Sequence, residues 1–267
     1  MSIKLFVTDL DGTLLPKGQQ VSQENIDAVQ EAVKAGVTVT IATGRMYRAA
    51  LPVALTLGVD VPIITYNGAL IKSTSGEVFY ESFLPKKVIA DVVSFCQERG
   101  WYLQSCSHDE LYLPAHTSEA EGYEAAQNIK GHVVGWDGLK AHNEAVCKLL
   151  SITSGAEETD ARIREMRAHF GSEIAVVRSN ANYVEIVNPG VSKAAGIQHL
   201  ADKLGVKLDE VMAIGDANND LPMLKAAGHS IAMGNAVPEV KAVCDAVTTT
   251  CEENGFAKAI YDYVLRG

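Results

Sequence analysis

The sequence lacks paired cysteines, long apolar runs and a surplus of basic residues, and each absence excludes a class of protein. Its five cysteines include no Cys-x-x-Cys pair, so neither a disulfide framework nor a zinc site is indicated. No stretch approaches the roughly 20 apolar residues that span a bilayer. The apolar run before Asp9 is too short for a signal peptide. We therefore expect a cytoplasmic protein with reduced thiols.

The charge balance is acidic, which argues against two kinds of partner. Lys and Arg number 23 against 33 Asp and Glu, and the formal net charge is −10. Nucleic acid and anionic membranes are themselves negative, so we expect neither as a partner. A small anion can still bind where positive charge is locally concentrated.

Length and composition are those of a folded globular protein. The 267 residues can form one large domain or two unequal ones. The hydrophobic share of 47% is ordinary, and no segment is dominated by Pro, Gly, Ser or one sign of charge. We expect most of the chain to fold.

Both ends of the chain alternate between buried strands and amphipathic helices. Residues 4–8 and 37–42 are apolar, partly β-branched runs, as in strands buried on both faces of a parallel sheet. Between them, Ser22 is a candidate helix N-cap and Gly36 a candidate terminator. Further predicted elements are strands at 63–65, 211–214 and 230–233, a helix from 193 to 204, and a helix ending near 227. The fold class is predicted to be α/β, with a doubly wound parallel sheet.

The middle of the chain has a different pattern. Helices are predicted at 86–99 and 157–170, and strands at 101–104, 110–113, 148–152, 174–178 and 183–187. Strands grouped apart from helices suggest an α+β module. The predicted domains are a discontinuous core of residues 1–83 and 189–267 and an inserted domain of residues 84–188.

Two aspartates follow the first predicted strand directly, in the segment Asp9-Leu10-Asp11-Gly12-Thr13-Leu14. Open α/β sheets bind ligands outside the carboxyl ends of their strands, so both carboxylates lie at the expected ligand edge. Two acids this close repel each other, and a bound cation is the usual remedy. An Asp-Gly pair is also a common turn, and Asp9 could simply cap the next segment of the chain.

A second acidic group, Gly215-Asp216-Ala217-Asn218-Asn219-Asp220, ends the predicted strand at 211–214. It places further carboxylates and amides at the same edge of the sheet. Ligands that are all oxygens suit Mg²⁺, which typically accepts one or two carboxylates together with water and substrate oxygens. The sequence therefore predicts a Mg²⁺ site between the two acidic groups.

Two further segments offer groups that could bind an anion. Thr43-Gly44-Arg45 follows the second predicted strand with a hydroxyl and backbone N–H groups, although a simple Thr N-cap explains Thr43 equally well. Lys193 begins a predicted helix, from which its ammonium could neutralise a phosphate. A solvated surface lysine is the alternative.

Taken in this order, the four groups resemble the four motifs of the haloacid dehalogenase (HAD) superfamily of phosphatases. The residues concerned are Asp9-x-Asp11-Gly12-Thr13, Thr43-Gly44-Arg45, Lys193 and Gly215-Asp216-x-x-Asn219-Asp220. The insertion and the preceding turn Tyr66-Asn67-Gly68-Ala69 are similar to the Cof-type sugar-phosphatase branch. The resemblance covers nearly the whole chain and implies a Rossmann-like HAD core with an inserted α+β cap of the C2B kind. Family members usually have Gly where Ala194 follows Lys193.

The resemblance also implies roles for individual residues. Asp9 is the expected nucleophile that forms an aspartyl-phosphate, and Asp11 the expected acid and base. Mg²⁺ is expected on Asp9, the Asp11 backbone carbonyl and Asp216, with Asp220 orienting them or binding through water. The expected phosphate-binding residues are Thr43, Gly44, Lys193 and Asn219, and Arg45 is a candidate substrate contact or an anchor for its own loop.

The implied activity is Mg²⁺-dependent hydrolysis of small phosphorylated metabolites, with phosphosugars as the leading class and specificity residing in the cap. Phosphoryl transfer requires mainly positioning and charge neutralisation, which a metal, a lysine and N–H donors supply. A phosphosugar mutase is the nearest alternative. A sensor that binds a phosphometabolite without turnover is an alternative of another class. The motifs do not fix the oligomeric state.

Overall fold

A computed structural model describes residues 3–266 except 17, 19, 59 and 60. The strands are β1 (Leu5–Thr8), β2 (Thr38–Ile41), β3 (Ile63–Thr65), β4 (Leu70–Lys72), β5 (Val78–Glu81), β6 (Gln104–Ser107), β7 (Glu110–Leu113), β8 (Gly131–Val133), β9 (Val146–Ile152), β10 (Ala175–Asn180), β11 (Tyr183–Val187), β12 (Val211–Gly215), β13 (His229–Ala232) and β14 (Ala246–Val247). The helices are α1 (Gln23–Lys34), α2 (Tyr47–Leu57), α3 (Lys86–Glu98), α4 (Ser118–Gln127), α5 (Gly135–Ala141), α6 (Ala156–Phe170), α7 (Lys193–Leu204), α8 (Leu221–Ala226), α9 (Pro238–Lys241) and α10 (Gly255–Ala259).

The chain divides into two compact units, residues 1–80 with 192–267 and residues 81–191. The predicted domain limits lie three residues inside the second unit at each end. None of the helices in the described ranges is long and apolar enough to cross a membrane.

The first unit is built on a parallel five-stranded sheet in the order β14-β13-β12-β1-β2. Strand β1 is buried along its whole length, as the apolar run at its position predicts. It pairs with β12 and β2 in parallel, so Thr8 lies beside Ile214 on one side and Ile41 on the other. Three neighbouring strands therefore end at one edge. The predicted α/β fold class is confirmed.

The first helix begins and ends as its sequence predicts. The Ser22 side chain accepts a hydrogen bond from the Asn25 N–H and caps α1. Gly36, just after the helix, has φ +86°, a conformation that favours glycine. Ala28 and Val29 lie on the buried face. These local signals fix the length of the connection between β1 and β2.

The strand predicted at residues 63–65 forms but does not extend the parallel sheet as a full strand. It meets the central sheet through a single bridge between Ala42 and Ile64. It pairs instead with β4, antiparallel, in the sheet β3-β4-β5. The chain reverses immediately after β3 because Asn67 adopts a left-handed conformation with φ 56°.

The second unit contains a six-stranded sheet in the order β10-β11-β9-β6-β7-β8. Its pairings are antiparallel except for the parallel pair of β7 and β8. Apolar residues of α3 and α6 pack on this sheet, for example Val92 and Met166 on Leu149 and Ile186. This is the α+β unit that the sequence predicts.

The prediction for this unit misplaces the start of one strand and lacks three elements, strand β8 and helices α4 and α5. The strand predicted at 101–104 begins only at Gln104, because the Trp101 N–H is bonded to the Cys96 carbonyl at the end of α3. Helices α4 and α5 were missed. Glycines interrupt both of them, and α5 is only seven residues long, so neither has a clear helical repeat of apolar residues.

Candidate active site

Three neighbouring strands carry the predicted site residues to one edge of the central sheet. Asp9 follows β1, Thr43 follows β2 and Asp216 follows β12. The Asp9 N–H donates to the Ile214 carbonyl at 3.1 Å, which continues the pairing of β1 and β12 past the last strand residue. Segments from opposite ends of the sequence thus meet at one place.

Three carboxylates gather at this edge. One oxygen from each of Asp9, Asp216 and Asp220 lies within 4.8 Å of the others. Asp9 and Asp220 are buried, and Asp216 is partly exposed. Three of the four predicted acidic residues, Asp9, Asp216 and Asp220, therefore lie close together, whereas the Asp11 carboxylate is not part of this group.

Lys193 is the positive charge inside the cluster. Its Nζ lies 2.5 Å from Asp9 Oδ1 and 2.6 Å from Asp220 Oδ1, and the residue is only 1% exposed. The alternative of a solvated surface lysine is wrong. Ser192 caps α7 and sets its first residue at the site.

Asp220 connects the lysine to the backbone of its own loop. While Oδ1 accepts from Lys193, Oδ2 accepts from the N–H groups of Asp216 and Ala217, both at 2.9 Å. A Cβ at Gly215 would lie 2.6 Å from Asp220 Oδ2, so only glycine fits there. Both oxygens of Asp220 are thus bound by protein donors, and the residue orients Asp216.

Burial and mutual repulsion shift the pKa values of the cluster. Burial first, and then the Asp220 carboxylate, raise the pKa of Asp9 well above its usual range, against the opposing effect of Lys193. The same two causes raise the pKa of Asp216 to about 7. Burial alone would lower the pKa of Lys193, but Asp220 and Asp9 more than reverse this and raise it. The cluster carries more negative charge than one lysine balances.

The turn after β1 fits closely against Asp216. Gly12 has φ +83°, and a Cβ there would lie 2.5 Å from Asp216 Oδ2. The hydroxyl of Thr13 donates to Asp216 Oδ1 at 2.9 Å. Glycine is therefore required at position 12 both for backbone conformation and for space.

Asp11 faces a different partner from Asp9. Its side chain is 57% exposed. Arg45 donates a hydrogen bond to each of its carboxylate oxygens, one from Nε at 2.8 Å and one from Nη2 at 2.5 Å. This contact links the turn after β2 to the turn after β1.

The turn after β2 is held in place by Asn67, a residue that the sequence did not identify as part of the site. The Asn67 N–H donates to the Thr43 carbonyl at 2.9 Å, and Asn67 Oδ1 accepts from Asn219 Nδ2 at 3.3 Å. A Cβ at Gly44 would approach Asn67 Oδ1 to 3.2 Å. The Asn-Gly pair at 67–68, typical of a left-handed turn, was the available signal.

The N-cap alternative for Thr43 is wrong. Helix α2 begins at Tyr47 with Met46 as its cap residue. The Thr43 hydroxyl instead accepts from the Arg45 N–H at 3.1 Å, within the turn itself. Thr43 and Gly44 therefore shape a turn against Asn67 rather than the start of a helix.

Buried carboxylates around a buried lysine, at the carboxyl edge of a parallel α/β sheet, are suited to binding a cation and a phosphate group. Sequence comparison gives the family: residues 6–260 match the haloacid dehalogenase-like hydrolases, and the chain belongs to this family. Several of its relatives and structural neighbours are named phosphatases, and the protein is a phosphatase of the Cof-type HAD branch.

Three similar proteins illustrate this relationship. Phosphatase YwpJ of Bacillus subtilis is 28% identical over 96% of this chain and 98% of its own. The 5-amino-6-(5-phospho-D-ribitylamino)uracil phosphatase YcsE of Bacillus subtilis is 31% identical over 99% and 97%. The solved structure of a sugar phosphatase of HAD subclass IIB matches with a TM-score of 0.86 at 25% identity, covering 97% of this chain and 98% of that one.

Proposed function

We propose that this protein is a Mg²⁺-dependent phosphatase that hydrolyses small phosphorylated metabolites through an aspartyl-phosphate on Asp9. The observation that carries the proposal is the buried contact of Lys193 with both Asp9 and Asp220, beside Asp216. A carboxylate nucleophile needs a neighbouring cation to bring an anionic phosphate close, and the cluster supplies one.

The carboxylates fit a divalent metal ion. Burial, and then repulsion between three acids within 4.8 Å of one another, raise the pKa values of Asp9 and Asp216. A hard cation with oxygen ligands relieves this repulsion. Asp9, the Asp11 backbone carbonyl and Asp216 would hold Mg²⁺, with Asp220 orienting them. When bound, Mg²⁺ neutralises charge on the transferring phosphoryl group.

The chain's own residues divide the remaining work. Lys193 engages Asp9 Oδ1, so we assign the attack on phosphorus to Asp9 Oδ2. The hydroxyl and N–H groups of Thr43 and Gly44, together with Lys193 and the Asn219 amide, hold the phosphoryl oxygens. Holding the group in line with Asp9 supplies much of the catalytic effect.

Asp11 is assigned the proton transfers. It protonates the leaving alcohol and then takes a proton from the water that attacks the aspartyl-phosphate. Its side chain is separate from the buried cluster and exposed, so it can reach an alcohol that Asp9 cannot. The two acids then have separate tasks because their surroundings differ.

The substrate class we infer is a phosphate monoester on a polyhydroxylated carbon chain. One relative is named for a phosphoribityl compound, and a structural neighbour is a sugar phosphatase. Both names describe a phosphate attached to a sugar or a sugar-derived chain. Sugar phosphates are therefore the first compounds to test.

The deciding experiment measures free phosphate from a panel of sugar, nucleotide and cofactor phosphate esters, with Mg²⁺ and with excess chelator. The wild type is compared with Asp9→Asn and with Asp202→Asn, a matched change at an exposed aspartate of α7. We expect release that needs Mg²⁺, that Asp9→Asn abolishes and that Asp202→Asn retains. An isomeric phosphosugar without free phosphate would indicate a mutase, and tight binding without turnover would indicate a sensor.

A further inference from the structure

A loop outside the predicted motifs, residues 233–237, contacts both acid-bearing loops. It follows β13, the strand beside β12 in the central sheet. The Val237 N–H donates to the Asp216 carbonyl at 3.0 Å, which fastens this loop to the second acidic group. The side chain of its third residue, Asn235, contacts the turn after β1, which follows the first two aspartates.

Asn235 bridges two segments that come from opposite ends of the sequence. Its Nδ2 donates to the Gly12 carbonyl at 2.8 Å, and its Oδ1 accepts from the Cys251 N–H at 2.8 Å. The Cys251 thiol donates in turn to the Thr13 carbonyl at 3.1 Å. Two successive carbonyls of the turn after β1, those of Gly12 and Thr13, thus accept hydrogen bonds from Asn235 and Cys251.

The turn that Asn235 holds lies between two groups of the site. Asp11 precedes Gly12, and the Thr13 hydroxyl bonds Asp216 Oδ1. Fixing the Gly12 carbonyl fixes the orientation of the peptide that joins Gly12 to Thr13. This peptide is joined through Gly12 to the peptide that carries the Asp11 carbonyl, and it also carries the backbone N–H of Thr13, whose hydroxyl bonds Asp216.

We propose that Asn235 is a positioning residue, which holds the Gly12 carbonyl so that Asp11 and Asp216 keep the arrangement required for Mg²⁺ binding and proton transfer. This inference rests on the function proposed above. Asn235 is exposed, so the competing interpretation is a surface residue that only caps the short turn beginning at Cys251.

Three variants separate these interpretations. Asn235→Ala removes both side-chain bonds. Asn235→Asp keeps an acceptor for the Cys251 N–H but cannot donate to Gly12. Lys241→Met is the matched control, because Lys241 Nζ bonds the Gly234 carbonyl of the same loop at 2.5 Å without contacting Gly12.

Each variant is measured for Tm, for Mg²⁺ affinity by calorimetry, and for kcat and KM on the best substrate of the panel. We expect Asn235→Ala to weaken Mg²⁺ binding about 3- to 10-fold, the range that the loss of one hydrogen bond produces, and to lower kcat to a similar extent with KM within about twofold. Asn235→Asp should lower kcat likewise, because it too loses the bond to the Gly12 carbonyl. Lys241→Met should match the wild type in Mg²⁺ affinity and kcat.

Asn235 variants with wild-type Mg²⁺ affinity and kcat, even with a lowered Tm, would overturn the inference and leave Asn235 a purely structural role. If the wild type itself bound no Mg²⁺ and released no phosphate, the proposed function would fail and this inference with it. The two failures are distinguishable because the first is seen only in the variants.

Discussion

Arg45 holds both carboxylate oxygens of Asp11, one through Nε and the other through Nη2. A two-point contact of this kind fixes the plane of the carboxylate as well as its position. The guanidinium stabilises the ionised form of this carboxylate, whereas the role proposed for Asp11 requires a protonated form as well. Under that role, we expect the contact to weaken when Asp11 is protonated.

The Arg45 contact gives a first prediction. We expect Arg45→Ala to lower kcat/KM by about 10-fold or more, because Asp11 loses its orientation. Arg45→Lys should retain only part of the wild-type kcat/KM, since an ammonium lacks the fork geometry of a guanidinium. Phosphate release across a range of pH is the measurement. Arg266→Ala, at an exposed arginine near the end of the chain, is the control. Full activity in Arg45→Lys would show that charge alone suffices.

Removing the buried ammonium should destabilise the fold. Lys193→Met leaves Asp9 and Asp220 buried without their shared cation, and breaking such a contact typically costs about 3 to 5 kcal/mol of unfolding free energy. Urea unfolding in excess chelator measures this. Lys34→Met, at an exposed lysine in the last turn of α1, should change stability by less than about 1 kcal/mol. Equal stability of both variants would contradict the prediction.

The metal-free protein should lose stability as pH rises. The pKa of Asp216 is raised to about 7 in the folded state by burial and by Asp220, whereas an unfolded aspartate titrates near about 3.9. Between these values the folded state binds more protons, so its stability decreases with rising pH, by at most about 4 kcal/mol from this group. Asp9 acts in the same direction because its pKa is also raised.

Thermal unfolding between pH 5 and 8 checks this dependence. We expect Tm to fall with pH in chelator, and Mg²⁺ to raise Tm more at pH 8 than at pH 5 because the metal binds the ionised carboxylates. Asp216→Asn should flatten the slope. A Tm that rises with pH in chelator would be incompatible with the raised pKa values.

Gly12 and Gly36 allow the same substitution, Gly→Ala, to be compared at two sites with similar backbone conformations. Both have φ near +85°, but a Cβ at Gly12 would meet Asp216 at 2.5 Å, whereas nothing lies within 4 Å of one at Gly36. We expect Gly36→Ala to cost about 1 to 2 kcal/mol of unfolding free energy from backbone strain alone. Gly12→Ala should cost clearly more and weaken Mg²⁺ binding, as urea unfolding and calorimetry can show. Equal costs would mean that Asp216 moves aside freely.

The sequence predicts the fold well where local patterns are strong. The strand at 110–113 and the helix at 193–204 have the predicted limits, because apolar periodicity and end signals coincide there. Asp9 and Asp216 could be placed at one edge because each follows a buried strand directly. The contacts of Lys193 with Asp9 and Asp220 agree with that placement.

Contacts between distant side chains could not be predicted in this way. Asp11 pairs with Arg45 and Asn235 with Gly12 because of the paths of loops, which periodicity does not specify. Asn67 was visible as a turn residue, yet its role beside Thr43 and Asn219 depends on how β3 meets the central sheet. Local propensity describes each segment, whereas these partners depend on the tertiary arrangement.

The pairing of β1 with β12 has a consequence for synthesis on the ribosome. Thr8 emerges first, and its partner Ile214 is made about 200 residues later, roughly 10 to 40 s at usual translation rates. In that interval β1 has no neighbour on one side, and all residues of the unit 81–191 are made before that neighbour. The nascent chain therefore cannot assemble its carboxylate cluster until synthesis has passed Asp220, more than 200 residues after Asp9.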